Sequence, residues 1–219
     1  MRYAAFRLDV SASIGYGHAS RCLSLAIELR KQNVEPLIYV SNLSNQDLVQ
    51  SLFSGFDIIN INNLELYSYL NSSNPCFDCL VVDHYSTGLD NLFSDEFKLT
   101  LKIVFEDLCN TSINADIYIN PNIDCVPSDF CGRRALVGPS YACISPRIAM
   151  HRGRWTPSSS LHGHKRCLIS IGATDPFNLT SKILRSIKGA HQKSTFLFVV
   201  ILASSAPHLN EVKKLCIEL

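Results

Sequence analysis

The chain has 219 residues, 47% of them hydrophobic, and its 20 basic and 19 acidic residues leave a net charge of +1. That is ample apolar material for one large domain or two smaller ones. The absence of a basic run or stripe argues against a nucleic-acid partner, and the longest apolar run, Phe196 to Ala203, is too short to cross a bilayer.

Short apolar runs alternate with helical periodicity along the chain, the pattern of βα units on a parallel sheet. Tyr3 to Asp9 reads as the first strand. Cys22, Leu25, Ala26 and Leu29 fall at i, i+3, i+4 and i+7, which predicts an amphipathic helix over 18–32. Pro36 to Val40 is the second strand and Gln46 to Phe53 a helix. Phe56 to Ile61 is the third strand, with a helix near 64–70. Cys79 to Val82 is a continuous apolar run that suits a central strand buried on both faces. A helix near 89–99 follows, then strands at 102–105 and 116–120. Residues 146–166, with Pro146, Pro157, Gly153, Gly163 and Ser158 to Ser160, read as a linker between an N-terminal domain (1–145) and a second one. From residue 167 the rhythm restarts: a strand at 167–171, a helix at 176–188, a strand at 196–202 and a helix from Pro207. Two strands and two helices are little for an independent core, so the second domain (167–219) is expected to be incomplete.

The N-terminus, Met1 to Arg7, runs straight into a strand and has no signal-peptide pattern, so a soluble cytoplasmic protein is expected. Nine cysteines, an odd number without framework spacing, fit a reducing compartment. Cys22, Cys143, Cys167 and Cys216 lie in apolar stretches and read as buried thiols. Cys76 and Cys79 have CxxC spacing, but no second pair and no nearby His completes a tetrahedral metal set.

Three strand ends carry polar residues. After the first strand, Gly15 and Gly17 allow positive φ and close backbone approach. The spacing is neither GxGxxG nor a P-loop. His18 then opens the helix, where the positive end of the macrodipole disfavours imidazolium. A neutral ring there could take a proton from water, or could simply start the helix with its ring in solvent. Arg21, one turn on, could face an anion or be solvated. Asp9 could bind ligand or accept from amides of the glycine turn, the second being favoured. The second end is Asp83-His84-Tyr85. Asp83 could orient His84 or a ligand hydroxyl, or cap a turn; Tyr85 could stack on a ligand or pack. A further strand closes on Glu106 and Asp107, adjacent acids that more often point apart than act together. The third end is Gly172-Ala173-Thr174-Asp175-Pro176. Thr174 or Asp175 can cap a helix starting at Pro176, whose free amides suit a diphosphate, and Asn178 is placed to reach a ligand above that turn.

These segments together resemble one family. Phe6-Arg7-Leu8-Asp9, Ile14-Gly15-Tyr16-Gly17-His18 and Arg21 to Ala26 are similar to the FRxD…IGxGHxxRxLxLA opening of the UDP-sugar hydrolases of pseudaminic acid biosynthesis. Val82-Asp83-His84-Tyr85, Phe105-Glu106-Asp107, Asp116 to Asn120, Gly138 to Ala142 and Ile171 to Asp175 with Asn178-Leu179 match its later motifs in order.

The resemblance implies a GT-B-like α/β architecture of two Rossmann-like domains, with the ligand in the cleft. It implies release of UDP from UDP-2,4-diacetamido-2,4,6-trideoxy-β-L-altropyranose, on a route to flagellin glycosylation, without metal or cofactor. By position, His18 would be the general base. Gly15 and Gly17 would shape the pocket, Tyr85 would contact the sugar, and Gly172, Thr174 and Asn178 would line the diphosphate and sugar. Asp9, Arg21 and Asp83 would support them. A small-molecule UDP-sugar is the expected partner, with no nucleic acid or membrane, and a monomer is expected. Ala173 departs from the usual second glycine, so the turn would be strained if that position needed positive φ. A GT-B glycosyltransferase with a UDP-sugar donor, or an inactive shortened relative, are the competing readings.

Overall fold

The computed structural model describes residues 2–11, 14–41, 46–72, 77–83, 90–94, 101–109, 113–130, 133–154, 165–189 and 196–219. They form two compact units, one of Met1–Ser11 with Gly17–Met150 and one of Ala12–Tyr16 with His151–Leu219.

The first unit holds strands β1 (Arg2–Leu8), β2 (Val34–Val40), β3 (Asp57–Asn60), β4 (Cys79–Asp83), β5 (Lys102–Phe105), β6 (Ile117–Asn120) and β7 (Ala135–Val137). Its helices are α1 (Gly17–Lys31), α2 (Gln46–Leu52), α3 (Asn63–Ser72) and a single turn, α4 (Pro146–Ala149). The sheet runs β3-β2-β1-β4-β5-β6-β7, and every neighbouring pair is parallel. Chain order therefore reverses between β1 and β4. In such sheets ligands bind outside the carboxyl ends of the strands at that reversal. The register places Leu8, the last residue of β1, opposite Asp83, the last of β4.

Burial follows from the pattern. Leu80, Val81 and Val82 are fully buried, as a central strand covered on both faces requires; each contributes about 1.5–3 kcal/mol over an exposed counterpart. Ala19, Cys22 and Ala26 turn one face of α1 inward. Arg30 and Lys31 in its last turn complement the helix dipole. Asn33 then takes φ 59°, a left-handed stop, and its N–H donates to the Arg30 carbonyl.

The second unit pairs β8 (Lys165–Ile169) with β9 (Phe196–Val200) in parallel. Helices α5 (Leu179–Gly189) and α6 (Leu209–Ile217) join them around Ile169, Leu184 and Val212. The alternate residues Leu168, Leu197 and Val199 stay exposed.

Several expectations change. The helix expected at 89–99 is a 3-10 turn over Asp90–Phe93 in its described part. The three-residue β7 is too short for a pattern to reveal. The expected linker begins with α4, because Pro146 suits a first helical position. The helix expected from Pro176 begins at Leu179. Among the cysteines expected inside, Cys216 is exposed and Cys143 and Cys167 are half-buried. Ala173 is not among the residues with positive φ. That conformation falls on Gly172 (87°), Asp175 (41°) and Asn178 (52°), so the methyl of Ala173 costs no backbone strain.

Candidate active site

Four side chains meet where β1, β4 and β5 end. Asp83 is wholly buried at the tip of β4. Its Oδ1 accepts from His18 Nδ1 in the first turn of α1. Arg21, one turn further on, grips the same carboxylate with both edges of its guanidinium, Nε to Oδ2 at 2.5 Å and Nη2 to Oδ1 at 2.6 Å. Arg21 Nη1 and Nη2 also donate to the two oxygens of Asp107, each at 2.9 Å. The guanidinium lies 4.7 Å from the centre of the Phe105 ring. Helix spacing explains the geometry: residues 18 and 21 lie on one face of α1, so both reach a single carboxylate.

This corrects two expectations. Arg21 neither faces solvent nor waits for an anion; it is committed to two carboxylates. Burial lowers its pKa, but the hydrogen bonds and charges of Asp83 and Asp107 outweigh that and raise it. Asp83 orients His18 as well as Arg21, a contact 65 residues apart in sequence that no local motif announces. Burial pushes the Asp83 carboxyl up, yet the hydrogen bonds from Arg21 and His18 prevail and hold it below its ordinary value. An ionised carboxylate only accepts, so the bond fixes a proton on Nδ1; in the neutral ring the lone pair is then on Nε2. The 3.4 Å approach of Arg21 Nη2 to Nδ1 is then a contact between two donors.

His18 is not open at the loop mouth as expected. It is buried, with 8% of its side chain exposed. Gly15 takes φ 86°, a conformation that favours glycine. Gly17 does not; it is the first residue of α1. Asp9 accepts from Arg7 Nη1 at 3.0 Å and Ser41 Oγ at 3.2 Å. Arg7 is itself fully buried and bonded to Asn63, Ser41 and the Leu8 carbonyl. Glu106 and Asp107 do point apart: Glu106 accepts from the Leu108 amide while Asp107 meets Arg21. His84 and Tyr85 lie outside the described residues.

In the second unit, Asp175 caps α5 with both oxygens, accepting from the amides of Leu179 (2.9 Å) and Thr180 (2.8 Å). Two of the amides expected to serve a diphosphate are therefore taken. Thr174 is buried, 4% exposed, while Gly172 is exposed. Asn178 does not stand open above the turn. Its Nδ2 donates to Glu211 of α6 at 2.8 Å, and its Oδ1 is buried.

A cavity of about 700 Å³ opens elsewhere on α1, lined by Ser20, Leu23, Ser24 and Ile27 with Phe56 and Arg147. It does not include His18, Arg21 or Asp83. The strand-end position and the buried charge network make the four-residue cluster the stronger candidate for chemistry.

No family model matches the chain. It is 30% identical over 193 residues to an uncharacterized protein of Methanocaldococcus jannaschii, covering 82% of this chain and 38% of that protein. It is 24% identical over 217 residues to the UDP-2,4-diacetamido-2,4,6-trideoxy-β-L-altropyranose hydrolase of Campylobacter jejuni, covering 95% of this chain and 72% of that enzyme. The chain thus spans well under half of the first relative and nearly three quarters of the second. Among solved structures it is similar to MurG of Acinetobacter baumannii, with a TM-score of 0.56 and 9% identity over 99% of this chain and 63% of that one. UDP-GlcNAc 2-epimerase of Neisseria meningitidis bound to UDP-GlcNAc gives 0.53 and 17% over 100% and 70%. The S. aureus MnaA–UDP complex gives 0.52 and 15% over 98% and 65%. At these identities the likeness is one of fold, and in fold the chain is a GT-B-like α/β protein.

Proposed function

We propose that the chain processes a UDP-sugar, and that the reaction is hydrolysis at the anomeric carbon with His18 as general base. The observation that carries this reading is the His18–Asp83 pair at the reversal point of the sheet. Asp83 holds the ring in the tautomer whose Nε2 can accept a proton, the arrangement that a base oriented by a carboxylate needs. The Campylobacter hydrolase supplies the substrate class, and the solved neighbours with UDP or UDP-GlcNAc bound are consistent with it.

In this mechanism a water molecule is activated between Nε2 and the anomeric carbon. The water oxygen forms a bond to the anomeric carbon and its proton passes to Nε2. The bond from that carbon to the diphosphate oxygen breaks, and its electron pair leaves with UDP. UDP is already a good leaving group.

The test is release of UDP from UDP-2,4-diacetamido-2,4,6-trideoxy-β-L-altropyranose by the purified chain, without acceptor and in the presence of a chelator. Acceptor-dependent release would replace hydrolysis by glycosyl transfer. Interconversion of UDP-sugars with no free UDP would replace it by epimerisation.

A further inference from the structure

A second cluster lies beyond the strand ends and outside the reaction just described. Cys109 follows β5, Cys125 follows β6, and Asp129 sits in the 3-10 turn Pro127–Phe130. One donor atom from each lies within 4.8 Å of the other two. The two sulfurs are 3.4 Å apart. Asn120, fully buried at the end of β6, aims Nδ2 at the Cys109 sulfur from 3.6 Å. Its own Oδ1 accepts from the Asn122 amide, which fixes the amide's orientation.

We propose that Cys109, Cys125 and Asp129 form a binding site for a borderline-soft divalent cation of the zinc class. Two thiolates on a tetrahedral zinc at about 2.3 Å stand about 3.8 Å apart, close to the spacing here, whereas a disulfide needs about 2.05 Å. The third donor is a carboxylate oxygen, another common zinc ligand. The Asn120 amide supplies the outer hydrogen bond that orients and stabilises a ligating sulfur. The donor set of two sulfurs and one oxygen excludes magnesium and calcium, which take oxygen. Two thiol protons leave as the metal enters. The site sits behind Asp107: Asn122 Nδ2 donates to the Asp107 carbonyl at 3.2 Å, so a bound ion would fasten the loop after β5 to the loop after β6.

The test uses the whole chain, reduced and stripped of metal, titrated with Co²⁺ as a spectroscopic stand-in and then with Zn²⁺. One Co²⁺ per chain is expected, with a thiolate-to-cobalt charge-transfer band that Zn²⁺ abolishes. Cys109→Ser and Cys125→Ser should each remove most of that band, and Cys79→Ser should keep it. Asp129→Asn should weaken binding at least as much as the roughly 10- to 100-fold typical of losing an outer partner. X-ray absorption on the zinc-loaded, unmutated chain decides the matter even where a variant fails to fold: two sulfur and two lighter neighbours are expected. Four sulfur neighbours, a band untouched by Cys125→Ser, or no stoichiometric binding would overturn the proposal.

Discussion

Arg21 grips Asp83 through a two-pronged fork, Nε to Oδ2 and Nη2 to Oδ1, and the same guanidinium reaches Asp107. One cation thus holds the ends of β4 and β5 against α1. A lysine in its place carries the charge on a single point and cannot bridge two carboxylates in a plane. Arg21→Lys should cost about 1–3 kcal/mol of stability, and Arg21→Ala about 3–5 kcal/mol, since it leaves Asp83 buried and unpaired. Denaturant melts check both. Equal stability of Arg21→Lys and the unmodified chain would mean that the fork is not what holds the strand ends.

His18→Ala should lower UDP release by roughly 10²- to 10⁴-fold, the usual contribution of a positioned base, while UDP binding measured by calorimetry stays unchanged. Asp83→Asn is the sharper probe. Its amide can occupy the same space but can donate to Nδ1, which places the ring proton on Nε2 and disables the base. A loss approaching that of His18→Ala is expected, as for other bases held in the wrong tautomer. Full turnover by Asp83→Asn would remove the tautomer argument and with it the role of His18 as base.

Acid stability follows from the same carboxylate. Burial raises the Asp83 carboxyl, but Arg21 and His18 outweigh it and hold it below its ordinary 3.8. A carboxyl lower in the folded chain than in the unfolded one adds stability above the unfolded value. It loses that contribution as pH falls through the folded value. The unmodified chain should therefore keep this increment near neutrality and shed it below about pH 4. Asp83→Asn, lower throughout, should show a flatter acid limb in a plot of Tm against pH. Parallel acid limbs for the two proteins would contradict the assignment.

Much of this was legible in the sequence, and what was not has physical causes. The βα rhythm gave the strands because a parallel sheet buried on both faces demands continuous apolar runs such as Cys79 to Val82. The strand-end positions of His18, Asp83 and Asp107 were readable for the same reason. Their mutual bonding was not, because register between β1 and β4 joins residues 75 apart. Arg21 could be read either as facing an anion or as solvated, since nothing local pairs it. Asn178 looked like a ligand contact, but its partner Glu211 lies 33 residues downstream. The cysteine pair escaped notice because 109 and 125 have no motif spacing; β5 and β6 bring them together.

The start of α5 offers a final test, one that separates capping from backbone strain. Asp175 accepts from two α5 amides and also adopts φ 41°, a conformation that costs most side chains energy but that Asn and Asp tolerate. Asp175→Ala loses both the cap and that tolerance and should destabilise by about 1–3 kcal/mol. Asp175→Gly loses the cap but relieves the strain, so it should fall less. Asp175→Asn keeps an acceptor and the conformation and should fall least. Hydrogen exchange at the Leu179 and Thr180 amides reads the cap directly, with faster exchange in Ala and Gly than in Asn. If all three variants exchange alike, Asp175 does not hold the helix start, and those amides are available to a ligand after all.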